Sequence, residues 1–178
     1  STETASLHKL VGHEKAVEYI AKAGFDAWDF SMFAMAKFEK GTDHIMDSDH
    51  PLHSANYAAY AKNLRKIGED CGIVCNQSHA PFSFAWADEN VRENIAKPRI
   101  EQSLEISAMM GVKIAVVHPL HWMPYLGHED EINELNIQYY KSLVPLARNL
   151  GVKIALENMW QKEVKRKCIC TDVAGFAK

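Results

Sequence analysis

The chain has 178 residues, of which 47% are hydrophobic, and its formal net charge at pH 7 is −3. This length and composition fit one domain with a real apolar core. The near balance of charge excludes a general attraction to nucleic acid or to an anionic membrane. No stretch approaches the roughly 18 apolar residues of a transmembrane helix, and the first residues do not resemble a signal peptide. The four cysteines form no CxxC pair, so a reducing cytoplasm is the expected location.

One short unit recurs four times along the chain. A glycine closes a helix, an apolar strand follows, and polar residues stand where the strand ends. The glycines are Gly24, Gly72, Gly111 and Gly151, spaced by roughly 40 residues, which suits one strand, one helix and two loops. The opening residues 1–3 are expected to be the tail of an earlier strand.

The segments between these units have apolar residues at steps of three or four, which predicts helices. The predicted helices cover residues 14–23, 54–70, 100–110 and 131–150. Pro98 is expected in the first turn of the third helix. Pro145 falls inside the fourth helix, where a kink or a break is expected.

Alternating strands and helices predict parallel strands joined by right-handed crossovers. The fold class is therefore α/β, and the expected architecture is a (β/α)8 TIM barrel, which needs about 250 residues. Residues 1–178 are expected to form a single domain that holds only about the first five βα units, incomplete at its C-terminus. A doubly wound open sheet is the rival, although no GxGxxG motif follows any predicted strand.

Parallel α/β folds carry their functional groups at the C-terminal ends of the strands. His79, His118 and Glu157 stand at three consecutive predicted strand ends, and Asp29 and Ser31 end the first. Two imidazoles and a carboxylate that converge on one space are a ligand set for a divalent metal such as Zn²⁺, Mn²⁺ or Co²⁺. The alternative is that each histidine bonds to a neighbouring loop and that Glu157 caps the next helix.

Two aromatic loops are candidate walls of a site. Trp122 follows the third strand unit and Trp160 follows the fourth. Their rings could stack on the C–H face of a sugar, although ordinary packing explains each of them equally well. A basic run (Lys162, Lys165, Arg166 and Lys167) could meet a substrate phosphate, but a solvated loop is the preferred interpretation. His8, His13 and His128 are expected to be solvated.

Four motifs occur in this order at barrel spacing: Gly24-Phe-Asp-Ala-Trp-Asp-Phe-Ser31, Ser78-His-Ala-Pro-Phe82, Val116-Val-His-Pro119 and Gly151-Val-Lys-Ile-Ala-Leu-Glu-Asn158. Together they resemble the xylose isomerase-like TIM barrel superfamily. That superfamily contains sugar phosphate isomerases and epimerases, inosose dehydratases and endonuclease IV. The resemblance covers most of the chain and is more specific for the superfamily than for one activity.

The resemblance implies a divalent-metal-dependent sugar or sugar phosphate isomerase or epimerase, with Mn, Mg, Co or Zn as cofactor. Glu157 matches the glutamate that binds the metal and moves a proton, so it is the implied catalytic residue and metal ligand. The remaining ligands of that family would lie beyond Lys178. His79, His118, Trp122 and Trp160 are implied to bind substrate. His79 and His118 would bind metal directly if the site is multinuclear, as the matching histidines do in endonuclease IV.

Several alternatives stay open at this point. They are an inosose dehydratase-like lyase, a nuclease of the endonuclease IV type, and a non-catalytic half-barrel that serves as an assembly module. The expected partner is a small-molecule sugar or sugar phosphate. No membrane partner is expected, nucleic acid is disfavoured by the charge balance, and a homo-oligomer is left open.

Overall fold

The computed structural model describes residues 1–35, 37–38, 45–46, 50–82, 89–120 and 125–157. The strands are β1 (Thr2–Glu3), β2 (Ala27–Ser31), β3 (Lys37–Phe38), β4 (Ile45–Met46), β5 (Val74–His79), β6 (Ile114–Val116) and β7 (Lys153–Ala155). The α-helices are α1 (His8–Lys22), α2 (Tyr57–Asp70), α3 (Glu89–Val91), α4 (Lys97–Met109) and α5 (Glu129–Leu150). A π-helix (Arg92–Ala96) joins α3 to α4, and 3₁₀ helices cover Phe33–Met35 and Pro51–His53. Within the described part of the chain, no helix has the length and apolar character that crossing a membrane requires.

Five of the strands form one parallel sheet in the order β1-β2-β5-β6-β7, while β3 and β4 form a separate antiparallel pair. The order within the large sheet follows the chain without reversal. A TIM barrel has this order, whereas a doubly wound sheet reverses direction at a switch point. The predicted α/β class with TIM-barrel topology is therefore confirmed, and the doubly wound alternative is wrong. The strand β1 also confirms that Thr2 and Glu3, within the expected residues 1–3, belong to the sheet.

The helices lie where the periodicity predicts them, with differences at two sites. Pro98 is in the first turn of α4, as expected. A kink or a break is the expectation at Pro145; the helix α5 continues through Pro145 as one element, so a break does not occur. Its buried residues on both sides of the proline, including Tyr139 and Ala147, hold the two halves against the sheet. In α1 the backbone kinks at Gly12, where φ is 81°, so the regular helix begins near the predicted start at residue 14.

The core lies between the outer face of the sheet and the helices. One cluster surrounds the fully buried Trp28 and Phe30 of β2, and a second surrounds β6 and the inward face of α5. The expectation that His13 is solvated is wrong, because its side chain is only 1% exposed. Its ring stacks on His8 at a centroid distance of 4.3 Å and meets the edge of Phe30 at 5.1 Å. His128 is exposed, as expected.

Gly151 ends α5 in the left-handed region, with φ at 66° and ψ at 28°. A Cβ added there would meet nothing within 4 Å, so only the backbone conformation opposes a side chain. We expect Gly151→Ala to lower the free energy of unfolding by about 1 kcal/mol. Gly151→Asn should lose less, because asparagine tolerates this conformation better. Urea denaturation of both variants measures the difference, and equal or higher stability of the alanine variant would contradict the assigned backbone strain.

Candidate functional site

Three polar side chains from consecutive strand ends meet at one point. The Oε2 atom of Glu157 lies 2.9 Å from Nε2 of His118 and 3.7 Å from Nε2 of His79. The His118 side chain is only 2% exposed and that of His79 is 14% exposed, whereas Glu157 is 42% exposed. One buried and one partly buried imidazole thus face one solvent-accessible carboxylate.

The register of the sheet explains why these side chains meet. Val116 pairs with Ala155 across β6 and β7, and His79 pairs with Val116 across β5 and β6. His118 comes two residues after Val116, and Glu157 comes two residues after Ala155. Alternate residues of a strand point to the same face, so His118 and Glu157 continue the two strands side by side. The hydrogen bond from the Val117 amide to the Ala155 carbonyl, 3.0 Å long, extends the ladder to this level. The ends of parallel strands therefore bring groups that are distant in sequence to one rim.

A second layer of polar groups orients His79. Its Nδ1 atom lies 3.0 Å from Oδ1 of Asp29, and the side-chain amide of Gln77 donates a hydrogen bond to Oδ2 of Asp29 at 2.5 Å. The pairing of β2 with β5 shifts between Trp28 and Asp29, so that Asp29 pairs with Gln77 and Ser31 pairs with His79. A bulge of this kind re-aims side chains and is frequent beside active sites. Here the bulge places the Asp29 carboxylate against both Gln77 and His79.

The carboxylates around His79 raise its pKa above the ordinary value. Burial of the ring lowers the pKa, but the hydrogen bond and the charge of Asp29 raise it, and the charges of Glu3 and Glu157 add to that effect. The raising contributions prevail. Proton binding at His79 is therefore favoured by negative charge on both sides of the ring.

An aromatic wall lies against the two histidines. The ring of Phe82 stacks on His118 at a centroid distance of 3.8 Å, and Phe33 lies 4.7 Å from Phe82. Phe33 also approaches His118 at 5.9 Å and His79 at 6.1 Å. The two rings therefore present an apolar surface beside both imidazoles.

The loop that carries His118 is held from behind by α5. The side chain of Asn136, which is 2% exposed, accepts a hydrogen bond from the Leu120 amide at 2.7 Å and donates to the Leu120 carbonyl at 2.9 Å. The Tyr140 hydroxyl donates to the Val117 carbonyl at 2.9 Å. These bonds fix the backbone on both sides of His118. Nothing in the sequence pattern indicates them, because Asn136 and Tyr140 occupy ordinary helical positions.

The donor set suits a divalent metal in chemistry and in spacing. Two imidazole nitrogens and a carboxylate oxygen are typical zinc ligands, and ligand atoms around a tetrahedral zinc ion are about 3.3 Å apart. The two distances to Oε2 of Glu157, 2.9 and 3.7 Å, bracket that value. Within the described ranges, however, no group of three or more His, Cys, Asp or Glu side chains already has the arrangement of a metal cage. The side chains would have to turn slightly around an ion.

The other candidate residues are placed less completely. Trp122 and Trp160 lie outside the described residues, as do the basic run at 162–167 and the cysteines Cys168 and Cys170. The sequence pattern gives Asp29 no partner and does not single out Gln77. A usable signal exists for Gln77, because it stands two residues before His79 and so shares its face of the strand.

The chain is similar to a known protein family and to a curated protein. The family model described as "Xylose isomerase-like TIM barrel" matches residues 17–173. A curated relative, the uncharacterized protein MJ1311 of Methanocaldococcus jannaschii, is 29% identical over 151 residues. That match covers 81% of this chain and 44% of MJ1311. The chain thus spans less than half the length of this relative.

Solved structures give the same picture of the fold. A D-tagatose 3-epimerase-like protein is 28% identical with a TM-score of 0.56, covering 81% of this chain and 48% of that protein. The IolI protein, solved with a bound zinc atom, is 17% identical with a TM-score of 0.58, covering 87% of this chain and 49% of IolI. The chain therefore corresponds to about half of each of these barrels, which agrees with a part of a TIM barrel.

Proposed function

Because this chain belongs to the xylose isomerase-like TIM barrel family, we propose that its protein is a divalent-metal-dependent isomerase or epimerase of a sugar or sugar phosphate. The reaction is proton transfer next to a carbonyl through an enediolate. The similarity to a D-tagatose 3-epimerase-like protein supports this class of reaction. The similarity to IolI, which was solved with a zinc atom, supports the metal.

The observation that carries the proposal is the position of the Glu157 carboxylate. It is the most exposed member of the group, and its Oε2 atom lies 2.9 Å from one imidazole and 3.7 Å from a second. A carboxylate in this position can contact a small ligand that enters from solvent while the histidines fix it from below. A carboxylate that only capped a helix would need no imidazole partners.

Glu157, with the Nε2 atoms of His79 and His118 within reach, would hold the cation. When bound, a divalent cation polarises the carbonyl and the neighbouring hydroxyl of the sugar and stabilises the developing enediolate. The carboxylate of Glu157 carries the proton of the carbon next to the carbonyl, as one of two acid/base groups. His79 and His118 bind substrate hydroxyl groups, or the metal itself if the site is multinuclear.

The wall of Phe33 and Phe82 has a role in the same proposal. It lies against His79 and His118 and offers an apolar surface to the C–H face of a sugar ring. Return of the proton to the opposite face of the same carbon gives an epimer, whereas return to the neighbouring carbon gives an isomer. Trp122 and Trp160 are proposed to complete the substrate pocket.

Solvent exchange tests the reaction across many candidate sugars at once. The protein is incubated in D₂O with Mn²⁺ or Zn²⁺ and a panel of ketoses and ketose phosphates, and deuterium at the carbon next to the carbonyl is followed by NMR. We expect exchange that stops when EDTA removes the metal and returns when the metal is restored. The absence of exchange across the panel would contradict the proposal, and loss of water from the product would indicate a dehydratase.

A nuclease of the endonuclease IV type is the second candidate. One observation favours it, since the Nε2 atoms of both histidines face the same carboxylate oxygen, as direct ligands of one zinc ion would. The net charge of −3 does not favour binding to a phosphate backbone. Metal-dependent cleavage of DNA that contains an abasic site, without exchange of ketose protons, would decide for the nuclease.

A further inference from the structure

The buried carboxylate of Asp29 stands behind His79, on the side away from Glu157. Its side chain is only 7% exposed, and both of its oxygens are used. Oδ2 accepts a hydrogen bond from the Gln77 amide, and Oδ1 lies 3.0 Å from Nδ1 of His79. We propose that Asp29 is a positioning residue that, in the neutral form of the His79 ring, keeps the single proton on Nδ1 and so presents Nε2 as an unprotonated nitrogen toward Glu157.

The direction of these hydrogen bonds follows from the groups involved. An ionised carboxylate can only accept, so the contact between Oδ1 and Nδ1 requires His79 to donate. A neutral imidazole has one N–H group, and with that proton on Nδ1 the lone pair remains on Nε2. Gln77 holds the second oxygen and stops the carboxylate from rotating. The orientation of the ring and the position of its proton are thus fixed together.

The lone pair on Nε2 of His79 matters because this nitrogen faces the carboxylate of Glu157. Nε2 of His79 is 3.7 Å from Oε2 of Glu157, which exceeds an ordinary hydrogen-bond distance and leaves a third group to be bound between them. An unprotonated Nε2 can bind a cation or accept a bond from a substrate hydroxyl. A protonated Nε2 could do neither. This consequence rests on the proposed function, whereas the position of the proton does not.

Asp29→Leu tests the proposal because leucine is close in size to aspartate and offers Nδ1 of His79 no hydrogen-bond acceptor. With no acceptor at Nδ1, the single proton of the neutral ring is expected on Nε2, which faces the Glu157 carboxylate. The readout is the ¹⁵N shift pattern of the His79 ring in the metal-free protein at about pH 9, where neutral imidazoles prevail. We expect Nδ1–H in the wild type and Nε2–H in the variant.

A double variant should keep the wild-type form. In Asp29→Asn with Gln77→Glu, the new carboxylate can only accept, so the asparagine NH₂ group turns to it and the asparagine oxygen accepts from Nδ1–H of His79. Ser31→Ala is the matched control, because Ser31 pairs with His79 in the sheet and its hydroxyl has no hydrogen-bond partner among the described residues. The control should keep the wild-type form.

Zinc titration with a competing chelator gives a second readout. We expect Asp29→Leu to weaken zinc binding by about 10- to 100-fold and the double variant to lose less. If the wild type binds no zinc, the proposed function fails while the ring shifts still decide the role of Asp29. An Nε2–H form in the wild type, or an Nδ1–H form that survives in Asp29→Leu, would overturn the positioning role, and the wild-type spectrum decides by itself if a variant fails to fold.

Discussion

Replacing Glu157 by glutamine is expected to lower metal-dependent turnover by roughly a thousandfold or more. Glutamine has the same size, and its oxygen can still accept a hydrogen bond from Nε2 of His118, which lies 2.9 Å from the carboxylate. It carries no charge for a cation and cannot carry a proton. The measurement is kcat/KM with the sugar identified by deuterium exchange, together with the zinc affinity of the same preparation.

Glu131→Gln is the matched control for this variant. Glu131 also faces an imidazole, since its Oε2 atom lies 3.4 Å from Nδ1 of His128, but this pair is exposed in the first turn of α5. The turnover of Glu131→Gln should equal that of the wild type. Glu131→Gln should unfold within about 1 kcal/mol of the wild type, because exposed pairs contribute little, and Glu157→Gln should stay folded because glutamine keeps the hydrogen bond to His118. Unchanged turnover in Glu157→Gln would remove the central role assigned to that carboxylate.

The meeting of His79, His118 and Glu157 could be predicted because it depends only on topology. A glycine-strand unit that recurs at a constant period implies parallel strands, and parallel strands end at the same rim. The same reasoning places the strands of the large sheet and the helices between them to within a few residues. It does not depend on side-chain packing. The chemical roles of the three residues stay predictions.

The contacts behind the site could not be predicted in the same way. Asp29 meets Gln77 only because the pairing of β2 with β5 shifts by one residue, and a bulge in a strand of six residues leaves no clear mark on its hydrophobic pattern. The hydrogen bonds between Asn136 and Leu120 depend on where α5 crosses the loop after β6. The burial of His13 had no signal either, because it follows the kink at Gly12 and packs against residues far along the chain. Register shifts and loop packing are tertiary effects.

His13 gives the second large expected effect, a loss of stability in acid. Its ring is 1% exposed, and neither nitrogen has a hydrogen-bond partner among the described residues. Burial lowers its pKa from 6.5 to about 3, with the neighbouring His8 and His50 acting in the same direction. The folded protein thus keeps this imidazole neutral at a pH where the unfolded chain protonates it. The stability that depends on the neutral ring is complete above pH 6.5 and is lost as the pH falls toward 3.

The size of this effect follows from the width of that window. Each pH unit below 6.5 should lower the free energy of unfolding by about 1.4 kcal/mol through His13 alone, so the loss at pH 4.5 is about 3 kcal/mol.

Other groups also titrate in acid, and the variant His13→Phe separates the contribution of His13 from theirs. Phenylalanine fills a similar volume among the same aromatic rings and binds no proton. Urea denaturation between pH 7 and pH 4.5 should show a flatter decline for His13→Phe than for the wild type. The exposed histidine serves as the control, since His128→Ala should decline in parallel with the wild type. Parallel curves for His13→Phe and the wild type would mean that the buried imidazole is protonated in the folded protein, contrary to the burial that the structure gives it.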